Sequence, residues 1–262
     1  MHRLLTTVDG PIEYLVTGTG DPITVFAHGL AQSIAETRPL GSGVSGSRVF
    51  LHFMGHGRTG GPPAAGWTYA GLAEQLSAVA AATGATRALG VSLGAGALTR
   101  LVADHPERFT RLVFFLPAAL DRPRESAAQR RLHHLAVRLE AHDVDGAAEL
   151  LVAEQPAAVR RLPAARVRVH RQASALAGTA VIEALRTLPA AVPLTDRTVL
   201  AGVHARALVV AQPGDDAHPV AVAEELAAAL PNARLHVFRE PGALWLQRRQ
   251  VRELVAGFLN AD

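Results

Sequence analysis

A serine between two glycines constrains the fold of this chain more than any other feature. Residues 90–94 read Gly-Val-Ser-Leu-Gly, where the apolar run 87–91 gives way to the small-residue segment 94–103. This change of pattern predicts a strand, a sharp turn and a helix, with Ser92 on the turn. A serine so placed projects beyond the end of a sheet, where backbone N–H groups at a helix N-terminus can receive a developing negative charge.

The composition is that of an ordinary globular protein. With 262 residues, 49% hydrophobic and 19% charged, the chain can bury one large α/β core, and neither disorder nor a coiled coil fits. All 26 basic residues are Arg, the formal net charge is only +3, and the Arg residues are scattered, so we predict no nucleic-acid partner. The absence of Cys excludes disulfides, thiolate catalysis and Cys-bearing metal sites.

Short apolar runs alternate with segments of helical spacing along most of the chain. Strands are predicted at 3–8, 12–17, 22–27, 48–53, 87–91, 110–116, 207–211 and 234–239, and helices at 69–83, 94–104, 220–230 and 247–259. The alternation predicts a mostly parallel sheet of about eight strands with helices on both faces. In such sheets ligands bind beyond the carboxyl ends of the strands.

The strand pattern stops between residues 121 and 198, where only helical spacing with Pro breaks remains. We interpret this segment as a helical insertion over the carboxyl edge, and residues 1–120 and 199–262 as the core domain. The insertion holds twelve Arg residues, counted along the sequence. They form either a solvated face or a contact for an anionic substrate, and both readings stay open.

No cofactor or metal is expected. Residues 41–46 spell Gly-x-Gly-x-x-Gly, but they precede a strand and open no helix, so they do not form a phosphate-binding turn. His133 and His134 are adjacent, so on a helix they point about 100° apart and cannot hold one metal ion.

The first residues lack an apolar leader and no run of eighteen apolar residues occurs, so we expect a cytoplasmic protein without a membrane partner. A small-molecule substrate is expected, and a homodimer is left open.

Four motifs together resemble those of the α/β-hydrolase superfamily, in the family's order and over nearly the whole chain. They are His-Gly-Leu at 28–30, Gly-His-Gly-Arg-Thr at 55–59, the serine motif at 90–94, which resembles the family's nucleophile elbow, and the apolar run 208–211 leading to Asp215. The resemblance implies an α/β-hydrolase fold with Ser92 as nucleophile, the N–H groups of Leu30 and Leu93 as oxyanion hole, and the helical insertion as lid. By the same resemblance, substrate contacts are expected from His28, Gly29, Leu244 and Trp245.

The acid of the triad has several candidates. In the resembled family the acid is usually followed four residues later by Pro, a spacing that Asp215 and Pro219 satisfy and Asp216 does not. Asp121, just past a predicted strand, is a further candidate. Asp215 is our prediction, and the alternative is that it only caps the following helix.

The family's catalytic His is missing from its usual place. After the last predicted strand the chain reads Glu-Pro-Gly-Ala-Leu-Trp at 240–245, and no His follows His236. A serine hydroxyl needs a base, and His218, in the same loop as Asp215, is the candidate if it lies within about 4 Å of Ser92. It could instead cap a helix or pair with Asp216. His236 is predicted to be a buried strand residue, and His28 and His56 to be local hydrogen-bonding groups.

Three classes of function fit these residues. The first, which we favour, is an esterase-like hydrolase or acyl transferase that uses Ser92 with a non-standard triad. The second is a lyase or cyclase on the same fold that uses the oxyanion hole to polarise a carbonyl. The third is a ligand-binding protein that has lost catalysis.

Overall fold

The computed structural model describes residues 2–62 and 66–261. Within these residues one sheet contains eight strands: β1 (His2–Thr7), β2 (Gly10–Thr17), β3 (Ile23–Ala27), β4 (Ser47–Leu51), β5 (Arg87–Val91), β6 (Arg111–Phe115), β7 (Arg206–Ala211) and β8 (Ala233–Val237). Their order is β1-β2-β4-β3-β5-β6-β7-β8. β2 is antiparallel to both β1 and β4, and every later pairing is parallel. The predicted mostly parallel, eight-stranded sheet is confirmed.

Eleven α-helices hold about half of the remaining described residues. They are α1 (Ile34–Thr37), α2 (Tyr69–Thr83), α3 (Leu93–Asp104), α4 (Ser126–Glu140), α5 (Val144–Ala153), α6 (Ala157–Arg160), α7 (Pro163–Leu176), α8 (Val181–Thr187), α9 (Val220–Ala229), α10 (Ala243–Leu246) and α11 (Arg248–Leu259). Within the described ranges, none is long and apolar enough to cross a membrane.

Alternate residues of the central strands pack on opposite faces of the sheet. In β3, Val25 and Ala27 join the apolar cluster that includes α2 and α3, whereas Phe26 joins the cluster that includes α11. All three are fully buried. Side chains of a strand alternate between its faces, so a strand that is apolar at every position has to be covered on both sides. Each large side chain buried in this way contributes about 1.5–3 kcal/mol.

The parallel strands bring their carboxyl ends to one edge of the sheet. β3 ends before His28, β5 before Ser92 and β7 before Gln212. Residues that follow different strands, and that are far apart in the chain, therefore meet at this edge. Candidate functional residues collect there for the same topological reason.

The segment between β6 and β7 is helical and contains α4 to α8. Leu135 and Leu139 of α4 and Val169 of α7 belong to the same apolar cluster as the core strands. A hydrogen bond of 2.8 Å from Gln172 Nε2 to the carbonyl oxygen of Ala31 also ties α7 to the loop after β3. The division into core (1–120 and 199–262) and lid (121–198) remains a prediction.

His236 differs from the prediction of a buried strand residue. It lies in β8, which is the edge strand of the sheet, and its side chain is only half-buried. Its ring packs on Phe238 with 4.7 Å between the ring centroids. An edge strand lacks a neighbour on one side, which leaves part of its side chains open to solvent.

Candidate active site

Ser92 lies on the turn between β5 and α3 in a strained backbone conformation. Its φ of 51° and ψ of −106° are unusual for a residue with a side chain and cost on the order of 1–3 kcal/mol. The surroundings hold it there, because the Ser92 N–H donates to the Phe115 carbonyl at 2.9 Å and the Ser92 carbonyl accepts from Gly96 at 3.0 Å. The side chain is thereby fixed at the carboxyl edge of the sheet.

The two glycines of the motif permit this turn by close backbone packing. A Cβ atom on Gly90 would lie 2.2 Å from the carbonyl oxygen of Gly94, and one on Gly94 would lie 2.4 Å from that of Ala27. Both distances are far below any real carbon contact. The spacing Gly-x-Ser-x-Gly therefore follows from the geometry of the strand, turn and helix.

His218 lies beside Ser92 although the two residues are 126 positions apart. Its Nε2 atom is 2.8 Å from Ser92 Oγ, and its Nδ1 atom is 3.0 Å from Asp215 Oδ1. A carboxylate can only accept, so Nδ1 carries the proton and Nε2 is free to accept from the Ser92 hydroxyl. The order serine, imidazole, carboxylate is the arrangement that activates a hydroxyl as a nucleophile.

Asp215 is kept in its charged form. Burial alone would raise the pKa of its carboxyl, but the charge of His218 and hydrogen bonds from His218, Gln212 and the Ala217 backbone hold the pKa below its ordinary value. Asp215 therefore stays a carboxylate at neutral pH and can fix the tautomer of His218.

Gln212, which the sequence analysis missed, connects Asp215 to the loop where the family's His was expected. Its Nε2 donates to Asp215 Oδ2 at 2.8 Å, and its Oε1 accepts from the N–H groups of Gly242 and Ala243 at 3.0 and 2.9 Å. It is buried. The signal that could have found it is a polar side chain directly after the apolar strand β7, three residues before Asp215.

The other two acid candidates have different environments. Asp121 is paired with Arg197, whose Nε lies 2.6 Å from Asp121 Oδ2, and this guanidinium lowers the pKa of the Asp121 carboxyl. Asp216 is exposed. Of the three carboxylates, Asp215 is the one that contacts His218.

The loop after β3 lies against Ser92. A Cβ atom on Gly29 would be 3.4 Å from Ser92 Cβ and 2.9 Å from Gln32 Oε1, so the loop backbone approaches the serine closely. Leu93 is the first residue of α3. In the described part of the chain, the backbone N–H groups of Leu30 and Leu93 donate to no protein acceptor, so both are available to an oxygen at Ser92. Their role as oxyanion hole stays a prediction.

His28 and His56 make local hydrogen bonds. His28 is fully buried, its Nδ1 lies 2.7 Å from the Gly29 carbonyl oxygen, and its Nε2 accepts from the Phe53 N–H at 3.1 Å. No ring nitrogen of His28 is left for the substrate contact that the resemblance implied. His56 Nδ1 lies 2.9 Å from the Met54 carbonyl oxygen, and burial lowers the pKa of His56 to about 4. Both rings are therefore neutral at pH 7.

Trp245 and Leu244 stand on α10, beside the loop held by Gln212. Trp245 Nε1 donates to Gln155 Oε1 at 3.2 Å, which joins α10 to the helical segment between β6 and β7. Leu244 is partly buried against the cluster that contains α11. Both remain predicted substrate contacts.

A cavity of about 1030 Å³ opens beside this site. Ala31 and Gln32 of the loop after β3 line one end, and Trp245 and Arg248 line another part. Ser92 and His218 are not among its lining residues. The loop that carries Leu30 separates the cavity from Ser92: its Gly29 approaches Ser92, and its Ala31 and Gln32 line the cavity. Within the described ranges, no group of three His, Asp or Glu side chains is placed to hold a metal ion.

Comparison with known proteins identifies the family. The model of the α/β hydrolase fold family matches residues 22–244, which is most of the chain. This protein therefore belongs to the α/β hydrolase fold family. No protein of curated function matches the sequence.

Solved structures agree with this assignment. An esterase from Exiguobacterium antarcticum is 18% identical over 100% of both chains, with a TM-score of 0.78. An α/β hydrolase enzyme from a Medee basin deep-sea metagenome library is 15% identical over 99% of this chain and 98% of its own, with a TM-score of 0.81. A hydrolase from Pseudomonas aeruginosa PA01 is 25% identical over 99% and 98%, with a TM-score of 0.75.

Proposed function

We propose that this protein is a serine hydrolase that cleaves carboxylic esters of small molecules, with Ser92 as nucleophile, His218 as general base and Asp215 as acid. One observation carries the proposal: unbroken hydrogen bonds link Ser92 Oγ, both ring nitrogens of His218 and the Asp215 carboxylate. The base comes from the acid's own loop, which compensates for the lack of a His after β8.

The proposed reaction follows from these positions. As Ser92 Oγ attacks the ester carbonyl carbon, its proton passes to His218 Nε2, and Asp215 stabilises the resulting imidazolium. The carbonyl oxygen becomes an oxyanion that the N–H groups of Leu30 and Leu93 would receive. His218 then protonates the leaving alkoxide, and a water molecule releases the acyl group from Ser92 by the same route.

The strain at Ser92 and the lack of solvent around it support this role. Strained residues persist where the surrounding structure over-determines them, and such residues cluster at functional sites. Ser92 is only 8% exposed, so hydrogen bonds to its hydroxyl compete little with water. The esterase from Exiguobacterium antarcticum shares the fold and gives an example of this activity on it.

Turnover of p-nitrophenyl butyrate by wild type, Ser92→Ala and His218→Ala tests the proposal. We expect both variants to lose a factor on the order of 10³ or more in kcat, because nucleophile and base act as one unit. A fluorophosphonate probe should label wild type quickly and leave Ser92→Ala unlabelled.

His236→Ala, on the edge strand, is the matched control for the loss of a histidine and should turn over like wild type. Near-background rates in wild type and in both site variants would contradict the hydrolase proposal. That result would favour a ligand-binding protein or a non-hydrolytic enzyme.

A further inference from the structure

Two arginines lie over one tryptophan beside the cavity. The guanidinium carbon of Arg168 is 5.0 Å from the centroid of the Trp245 ring, and that of Arg248 is 5.6 Å from it. We propose that Arg168, Trp245 and Arg248, which we call the arginine clamp, bind a carboxylate at the far end of the substrate's acyl group. This inference rests on the proposed esterase function and names its substrate class: half-esters of dicarboxylic acids.

The arginine clamp has more positive charge than its neighbours neutralise. Glu36 Oε1 lies 3.9 Å from Arg168 Nε, at the outer limit of an ion pair, and Glu36 Oε2 already accepts from the Ser33 backbone at 2.8 Å. In the described part of the chain, no carboxylate lies within 4.0 Å of Arg248. An anion placed between the two guanidiniums would supply the missing charge.

Burial makes this charge costly without an anion. Arg168 is half-buried, and burial lowers the pKa of its guanidinium; the charge of Glu36 opposes this shift and that of Arg248 adds to it. A carboxylate stabilises a partly desolvated cation that faces a second cation more than it stabilises a fully solvated cation. Guanidinium groups also match carboxylates in geometry, since each can donate two parallel hydrogen bonds.

The cavity extends from the arginine clamp to the loop that carries Leu30. Both arginines and Trp245 line it, and so do Ala31 and Gln32. Ala31 directly follows Leu30, whose N–H group we assign to the oxyanion hole, and Gln32 Oε1 lies 2.9 Å from the Cβ position of Gly29, which is itself 3.4 Å from Ser92 Cβ. The cavity volume of about 1030 Å³ is sufficient for a small organic acid.

The position of His218 decides which half of the ester enters the cavity. The leaving alcohol must face His218, because that imidazole protonates it. His218 and Asp215 do not line the cavity, which instead begins beside the oxyanion loop. In the proposed binding mode the acyl group extends past Leu30 and Ala31 into the cavity, toward the arginine clamp.

Hydrogen bonds hold Trp245 and the helix of Arg168 in place before any ligand binds. Trp245 is fixed by its bond to Gln155, and the helix that carries Arg168 is fixed to the oxyanion loop by the bond from Gln172 to Ala31. A site that is held in its binding geometry loses little conformational entropy on binding. This geometry favours a defined anionic substrate group over general attraction to charge.

The test compares half-esters with neutral esters of equal chain length. Mono-p-nitrophenyl esters of the diacids from succinate to suberate are assayed against the p-nitrophenyl alkanoates of the same carbon number. We expect at least one half-ester to exceed its neutral counterpart about tenfold in kcat/KM. The ratio should fall toward one in Arg168→Gln and Arg248→Gln, since each variant loses a charge-assisted contact.

Arg166→Gln and Arg249→Gln are the matched controls, because these exposed arginines lie on the same helices, α7 and α11. They should keep the wild-type ratio. A ratio near one for every chain length, or an equal fall in the controls, would overturn the proposal.

A binding measurement separates this proposal from the esterase proposal. If no ester is hydrolysed, the esterase proposal fails, and calorimetric titration with the free diacids from succinate to suberate then decides on the arginine clamp. Binding that is about tenfold weaker in Arg168→Gln than in wild type, with Arg166→Gln unchanged, would support the site. Absent binding, or equal affinity in wild type and Arg168→Gln, would overturn it.

Discussion

Gln212 donates a hydrogen bond of 2.8 Å to the Asp215 carboxylate and accepts two backbone hydrogen bonds from the loop after β8. One side chain thereby orients the acid and anchors the loop in which the base was expected. Because it touches Asp215 and not Ser92, Gln212 is a positioning residue. Gln212 anchors the loop where the missing histidine was expected, and His218 is the proposed base.

Replacing Gln212 by Met should lower kcat more than it raises KM. The substitution keeps the side-chain length but removes every hydrogen bond, so Asp215 and the loop lose their common anchor. Loss of a hydrogen bond to a charged group is worth about 1.5–3 kcal/mol, which corresponds to roughly a 10- to 100-fold loss in rate. Steady-state kinetics measure it, with Gln129→Met as control, since the Gln129 side chain donates to the Arg124 carbonyl on the helical segment and not to the Asp215 carboxylate. An unchanged kcat would disprove the positioning role.

Of the three acid candidates, only Asp215 should lower kcat when it is replaced by Asn. Asp215→Asn should lower kcat by about 10⁴, because Asn favours the wrong tautomer of His218 without changing the packing. Asp216→Asn should turn over like wild type. Asp121→Asn should also keep its turnover but lose about 1 kcal/mol of stability, because it breaks the pair with Arg197. Ester turnover and urea unfolding are measured on the three proteins. If Asp215→Asn keeps the kcat of wild type, Asp215 is not the acid, and Asp216 and Asp121 become the candidates again.

Stability should fall as the pH drops below 6.5, in part because of His56. Burial lowers the pKa of His56 from 6.5 to about 4, so between these values the unfolded chain binds a proton that the folded chain does not. This difference removes about 1.4 kcal/mol of stability per pH unit. The pKa of His28 is also lowered well below its usual value by burial, so His28 should add to the loss.

Urea unfolding at several pH values between 7 and 5 measures this dependence. His56→Asn should reduce its slope by up to one proton, and His133→Asn, exposed on α4, is the matched control. The slope is the readout, because it does not depend on any overall loss of stability in the variant. A slope equal to that of wild type in His56→Asn would show that His56 does not take part.

Two glycine-to-alanine substitutions should have opposite effects. Gly90→Ala would place a Cβ atom 2.2 Å from a backbone carbonyl oxygen in the turn at Ser92, and should destabilise the protein by about 3 kcal/mol. Gly257→Ala, within α11, meets nothing within 4 Å and should stabilise it by about 0.5–1 kcal/mol. Thermal unfolding compares the two, and a Gly90→Ala protein as stable as wild type would refute the packing argument.

The sequence predicted the fold well because its signals are local. The apolar runs of the buried strands and the glycines around Ser92 each reflect a backbone constraint that is visible within a few residues. The strand bounds agree to within about two residues. The half-buried His236 was predicted wrongly, because the position of β8 at the sheet edge depends on strand order and not on the composition of the strand.

The site was harder to predict because its contacts are long-range. The sequence indicates His218 as a candidate for the base because it lies in the same loop as Asp215. Its distance to Ser92, however, depends on how β5 and β7 align across β6. Gln212 and Gln172 each link segments that lie 30 or more residues apart. Periodicity does not mark such a glutamine, and the one local signal for Gln212 is its place directly after β7.

The placement of Asp215 and His218 three residues apart also affects how the site can change. In a triad drawn from three separate loops, a shift of the loop that carries the imidazole breaks both links of the triad, and a shift of either other loop breaks one. Here the carboxylate and the imidazole lie in one short segment. Displacement of residues 215–218 would therefore remove both groups from Ser92 in one movement, and the reverse movement would bring both back. If His218 is the base, the residues after β8 do not need to include one. Under the proposed function, that stretch of chain could change with the acyl group of the substrate while Ser92, His218 and Asp215 keep their positions.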